Sequence, residues 1–250
     1  MQDKAKKLLG ISDRAYERRR HASGLAAWIN RTFQKLHANG QLEYQYFERR
    51  GRSIKRLIEE AVPLSRLGLY HWTHGNEPYI TLKPDGHPFD ALLEVEGFAS
   101  CTLKIEVTTC ETEESVMRRQ ALSREGTVSL SGPIRRNKRE IIATPAMVEV
   151  TEREEEIVAL ALRRLADKAE SGRYDANTAV LVYVSEYWPL SAAGRCALHR
   201  RTLRYLETND LATSTVYYCY WPDYSIDAIK VRRPHTTLAQ RGHLQGTGNR

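Results

Sequence analysis

The chain has 250 residues, 41% hydrophobic and 28% charged, a globular composition long enough for one substantial core with an added subdomain. Its 38 Lys and Arg against 31 Asp and Glu leave a net charge of +7, a surplus that favours polyanionic partners and puts nucleic acid first among them. No apolar run approaches the roughly 20 residues of a membrane-spanning helix, and four cysteines without CxxC spacing argue against a structural zinc site or a disulfide framework.

The N-terminus, MQDKAKKLLGISDRAYERRR, is charged and has no apolar h-region, so no secretory signal is expected and a reducing, cytoplasmic location is. From residue 12 to about 37 the pattern is helical, with Leu25, Trp28, Ile29, Phe33 and Leu36 on one stripe, and Asn39-Gly40 ends it. After the basic, aromatic YQYFERRGRSIKR, Ser53 is placed to cap a second helix with Ile54, Leu57, Ile58, Ala61 and Val62 inward. Pro63 is expected to break it, leaving an irregular path to Tyr70.

Three short strands follow, PYITL, FDALLEVEG and CTLKIEVTTC, the first two separated by Pro84-Asp85-Gly86. Residues 111–150 read as a charged stretch and then a hairpin, TVSLSGPIRR and REIIATP around Asn137-Lys138. A long helix is predicted from about 152 to 170, with Ile157, Leu160, Ala161, Leu165 and Ala169 inward and Ser171-Gly172 closing it. TAVLVYV is continuously apolar, as in a strand covered on both faces. A helix near 194–207 and the strands TVYYCYW and IDAIKV complete the order, and the polar tail 234–250 is expected to be disordered. Early strands joined by turns and later ones joined through helices predict an α/β sandwich with a mixed sheet.

CTLKIEVTTC alternates, with Cys101, Leu103, Ile105 and Val107 on one face and Thr102, Lys104, Glu106 and Thr108 on the other. A carboxylate set centrally in a β-branched strand needs a partner or a cation. Asp90 lies in the preceding strand, and Glu59 and Glu60 flank the apolar stripe of the helix before it. Such acids are oxygen donors for a hard divalent cation, and a cation there activates water and neutralises charge on a phosphate. His71 and His74, in HWTH between Gly68 and Gly75, are not expected to lie on the helix that would let them share a metal, and Cys101 and Cys110 read as small buried apolar residues.

With Asp on one strand, Glu on the next and an acid on the leading helix, residues 53–184 resemble the PD-(D/E)xK nuclease superfamily, whose core is helix, three strands, helix, strand. The resemblance implies a restriction-endonuclease-like mixed sheet flanked by helices over residues 51–233, with a hairpin inserted at 111–150 and a basic helical N-terminal extension over 1–50. It also implies that Asp90 and Glu106 hold Mg²⁺ or Mn²⁺, with Glu59 or Glu60 adding a ligand or orienting a water. The motif's lysine position is occupied by Thr108, which carries no charge. Lys168, on the long helix as in superfamily members with a migrated lysine, or Lys104, two residues before Glu106, would take over its role. Arg135, Arg136, Lys138 and Arg139 would lie along a phosphate backbone. The rival expectation is a non-catalytic nucleic-acid-binding or protein-interaction module on the same fold.

Overall fold

A computed structural model describes residues 11–49, 51–129, 132–137, 140–147, 149–169, 174–209, 213 and 215–231. The expected disorder of 234–250 falls outside them. None of the described helices is long and apolar enough to cross a membrane.

The chain is α/β, built on a mixed sheet of seven strands in the order β1-β2-β3-β4-β7-β8-β9. These are β1 (Arg20–His21), β2 (Asn76–Leu82), β3 (Ala91–Gly97), β4 (Cys101–Cys110), β7 (Thr178–Val184), β8 (Thr215–Tyr220) and β9 (Ser225–Lys230). The first four pair antiparallel, β4, β7 and β8 run parallel, and β9 returns antiparallel. β7 is buried at every position and divides the core by its period of two. Ala179, Leu181 and Tyr183 join the cluster under the N-terminal helices, while Val180, Val182 and Val184 join the cluster on the other face.

The first face is covered by α2 (Ala22–Ala38) and by one helical stretch made of α4 (Arg52–Lys55), a π-helical turn (Arg56–Ala61) and α5 (Val62–His71). The expected single helix from residue 12 is instead broken. A short α1 (Asp13–Tyr16) ends where Tyr16 turns inward and donates its hydroxyl to the Ser53 carbonyl at 2.7 Å, and β1 follows before α2 begins. Ser53 therefore serves as an acceptor for Tyr16 rather than as a cap; Gly51 holds the N-cap position. Pro63 does not end the helix. It sits in the first turn of α5, and the Val62 N–H before it reaches back to the Leu57 carbonyl in the wider π spacing. A proline ring clashes with the carbonyl four residues back and supplies no N–H, and the widened turn makes room for it. At Gly68 a Cβ would meet Ile80 Cδ1 at 2.6 Å and Ala22 Cβ at 2.9 Å, so the bare backbone lets α5 lie close on α2 and β2.

The second face is covered by α7 (Val150–Ala169) and α8 (Ala192–Thr208). Between β4 and α7 the charged stretch forms a helix, α6 (Glu113–Glu125), capped by Thr112, whose hydroxyl accepts the Ser115 N–H at 3.2 Å, and closed by Gly126 at φ 74°. Its inward stripe is partly arginine, which a hydropathy pattern reads as solvent-facing. Arg118 and Arg119 are 4% and 8% exposed, because the Ser129, Gly132 and Phe47 carbonyls and the Glu111 carboxylate take their N–H groups. After it, β5 (Ile134–Asn137) pairs antiparallel with β6 (Glu140–Ala143) in a small separate sheet packed on Met117 and Ala121.

Candidate active site

β4 is longer than its neighbour on one side. Its ladder with β3 begins at Ala91 opposite Ile105, whereas its parallel ladder with β7 continues to Cys110 opposite Val184. Residues 107–110 of β4 therefore present an edge that β3 does not cover. Asp90 lies just ahead of β3, not inside it as expected, but the ladder reaches it. Its N–H donates to the Ile105 carbonyl at 3.0 Å, and its own carbonyl accepts from the Lys83 N–H at 2.8 Å. That register brings Asp90 level with Glu106. Its carboxylate turns onto the open edge, where Oδ2 accepts the Val107 N–H at 2.7 Å and satisfies the first donor that β3 leaves unpaired.

Glu106 shares its face with Thr108 and Cys110, away from Ile105 and Val107. It is 8% exposed, and its Oε1 lies 2.5 Å from Nζ of Lys168, which reaches across from the last turn of α7. From the other face the π turn delivers Glu59 and Glu60. One-turn π segments widen the helix and re-aim side chains, and they recur at functional sites. Glu60 Oε2 is 3.5 Å from Nε of the buried Arg56, while Glu59 Oε1 is 3.6 Å from Nη1 of Arg49. Of the two helix acids expected to add a ligand or orient a water, Glu60 is the one that feels the charge of Asp90, while Glu59 pairs with Arg49, and both line the same cleft.

The acids here are partly stripped of solvent. Burial, and then repulsion from Glu106, pushes Asp90 up to about 6, against the Val107 N–H, Lys168 and Arg56, which favour its ionised form. Burial, and then repulsion from Asp90, pushes Glu60 up to about 7, against Arg56. Neighbouring acids displaced this way mark a desolvated site in which burial, and then the proximity of like charges, disfavours their ionised forms.

Beside them opens a cleft of about 510 Å³, lined by Thr108, Glu59, Glu60, Arg49, Glu111, Arg119 and Lys168, with Lys55 and Arg164 exposed at its walls. Arg49, Glu111 and Arg119 did not figure among the sequence candidates. Arg119 holds Glu111 in a two-pronged bond of 2.9 and 3.0 Å, and Arg49 Nη1 stands 3.5 Å from the same carboxylate. The signal for Glu111 was its place directly after the β4 run. Nothing comparable marks Arg49, whose left-handed backbone (φ 45°) at the end of α3 (Leu42–Glu48) turns it inward.

The other candidates lie elsewhere. Lys104 extends to Asp175 Oδ2 at 2.5 Å, a solvent-exposed pair, and not to Glu106. Arg135 and Arg136 are exposed on β5, Arg136 donating to Gln120 Oε1 at 2.6 Å, while Lys138 and Arg139 fall outside the described residues. His71 ends α5, so it does sit on a helix, but its Nε2 faces the Tyr217 hydroxyl at 3.1 Å and burial lowers it to about 4. Cys110 is buried as expected, but Cys101 is exposed. Among the described residues no group of three or more His, Cys, Asp or Glu is gathered as a ready metal cage.

Compared with known proteins, the chain matches no family model, no curated protein and no solved structure.

Proposed function

We propose that this chain is a metal-dependent nuclease hydrolysing phosphodiesters on a PD-(D/E)xK-like core. The observation that carries it is the meeting of Lys168 with Glu106 at 2.5 Å beside the open end of β4, with Asp90 level with Glu106. The element order supports the same reading once α6, β5 and β6 are taken as an insertion: a helix with an acid, three antiparallel strands, a helix carrying the lysine, then a parallel strand. Thr108 lines the cleft but brings no charge, and Lys168 supplies the missing ammonium from α7.

The acids suit a divalent cation. Mg²⁺ commonly takes only one or two protein carboxylates, keeping waters and substrate phosphate for the rest of its shell, and a cation would favour the ionised forms that burial, and then repulsion, disfavour at Asp90 and Glu60. Asp90 and Glu106 would hold Mg²⁺ or Mn²⁺, with Glu60 as the helix acid. A cation bound there would lower the pKa of a coordinated water and offset charge on the scissile phosphate. Lys168 would stabilise negative charge as it develops on the phosphate oxygens, Glu60 would orient and accept a proton from the attacking water, and exposed Lys55 and Arg164 would receive the flanking phosphates.

The experiment is cleavage of labelled duplex DNA, single-stranded DNA and RNA with Mg²⁺ or Mn²⁺, by wild type and by Glu106→Gln. Gln keeps the shape and an oxygen for Lys168 but not the charge. Cleavage by wild type and its loss in the variant, with metal-free affinity retained, is the expected outcome. Tight binding without cleavage of any substrate would favour the binding module, to which the uncharged Thr108 is the pointer.

A further inference from the structure

Next to the cleft is a second cavity of about 280 Å³, on the far side of a wall formed by Arg49, Glu111 and Arg119. Four partly exposed aromatic residues, Tyr46, Phe47, Tyr187 and Trp221, line it together with the Arg49–Glu111–Arg119 wall and the buried Glu186 carboxylate, which Ser115 and Thr112 hold. Tyr187 and Trp221 lie nearly parallel, with centroids 6.4 Å apart and planes at 22°, and Tyr46 and Phe47 meet edge to face at 5.5 Å. The Trp221 ring is tied to Tyr46, Nε1 donating to the Tyr46 hydroxyl at 3.1 Å, and the backbone of Tyr187 is anchored where its N–H donates to Ser115 Oγ at 3.2 Å.

Arg49 joins the two cavities. Its side chain is 4% exposed, and its guanidinium lies 6.0 Å from the Tyr46 ring. Only Nη2 has a hydrogen bond among the described residues, to Ser185 Oγ at 3.0 Å; Nε and Nη1 have none, and the nearest carboxylates stand at 3.5 and 3.6 Å. A buried guanidinium with spare N–H groups still has donors to offer a further acceptor. Aromatic faces beside an arginine with unused N–H groups, next to a cleft walled by Lys55, Arg164 and Lys168, are the chemistry that takes a nucleotide, its base stacked on the rings and its phosphate on the arginine.

We propose that the cavity between Tyr187, Trp221, Tyr46 and Phe47 is a base-binding subsite, with Arg49 as the phosphate-holding residue between it and the cleft, so that the protein engages single-stranded nucleic acid through an unstacked base. This rests on the nucleic-acid reading of the neighbouring cleft, but not on cleavage. A base in a duplex is already stacked on both faces and must first be unpaired to enter, so single strands bind more tightly.

The test uses the full chain in EDTA, where hydrolysis cannot occur. Fluorescence anisotropy compares a labelled single-stranded oligonucleotide, the same strand as a duplex, and a strand carrying abasic positions. Wild type is expected to favour the single strand over the duplex and over the abasic strand. Tyr187→Ala, which removes a ring that makes no side-chain hydrogen bond among the described residues, should weaken binding roughly 5- to 100-fold, the range for one base on an aromatic platform. Trp221→Phe, which keeps a stacking face, should retain most of the affinity. Arg49→Met should lower the salt slope by about the share of one phosphate. Equal binding of single strand, duplex and abasic strand, or wild-type affinity in Tyr187→Ala, would overturn the proposal. Absence of Mg²⁺-dependent cleavage would remove the nuclease reading alone and leave this result standing.

Discussion

Replacing Asp90 by Asn should make the metal-free protein more stable at pH 8. The folded protein holds the Asp90 carboxyl at about 6 against an ordinary 3.8, chiefly through burial and the charge of Glu106. The folded state therefore binds this proton more tightly than the unfolded chain. Its ionisation costs nothing well below 3.8, becomes more unfavourable as pH rises towards 6, and is constant above that. At about 1.4 kcal/mol for each tenfold change in proton affinity, the full cost is about 3 kcal/mol. Asn removes it while keeping an oxygen for the Val107 N–H. For a chain of this length such a gain raises Tm by about 6–12 °C. Thermal melts in EDTA at pH 8, 6, 5 and 4 should show the variant ahead at pH 8, about half that gap at pH 5, and little of it at pH 4. Added Mg²⁺ should raise the wild type more than the variant, because a ligand stabilises only the form that binds it. A variant that melts at or below wild type at pH 8 would refute the argument, since ionising Asp90 would then carry no cost in the folded state.

Glu60→Gln should stabilise in the same direction, its gain developing as pH rises from 4.5 to about 7, and the double variant should gain less than the sum of the singles because the charge of Asp90 is part of what raises Glu60; the same melts measure both. Lys168→Met should slow Mg²⁺-dependent cleavage by about 2–4 kcal/mol of barrier in single-turnover assays, whereas Lys104→Met, which breaks only the exposed pair with Asp175, should leave the rate unchanged. The reverse result would return the catalytic ammonium to β4. Neutralising Arg135 and Arg136 should weaken metal-free binding and flatten its salt dependence by about one for each phosphate no longer neutralised, and an unchanged slope would clear β5 of that role.

The α/β class was legible because it is written locally. The alternation of CTLKIEVTTC and the unbroken apolar run TAVLVYV each state how many faces of a strand are covered, and that decides which strand is central. Helix α6 was illegible for an equally physical reason: Arg118 and Arg119 occupy its inward face, and carbonyls and a carboxylate distant in sequence make that burial tolerable. Pro63 misled because its ordinary penalty assumes an α-helical turn, and the π turn before it changes the spacing.

By itself, the sequence determined the period of each element and so which side chains share a face, including Glu106 set among β-branched neighbours. It also determined that acids stand on a helix and on the second and third strands after it, and that the expected lysine position is a threonine. Only the tertiary structure decided which of two lysines reaches Glu106, which of two helix glutamates faces Asp90, and that Arg49 turns inward between the charged cleft and the aromatic cavity. Those outcomes depend on the end of β3 relative to β4, on the reach of α7 across the sheet, and on a single left-handed residue after α3. Each is a distance between residues far apart in the chain, set by packing, and no local pattern of residue types encodes it.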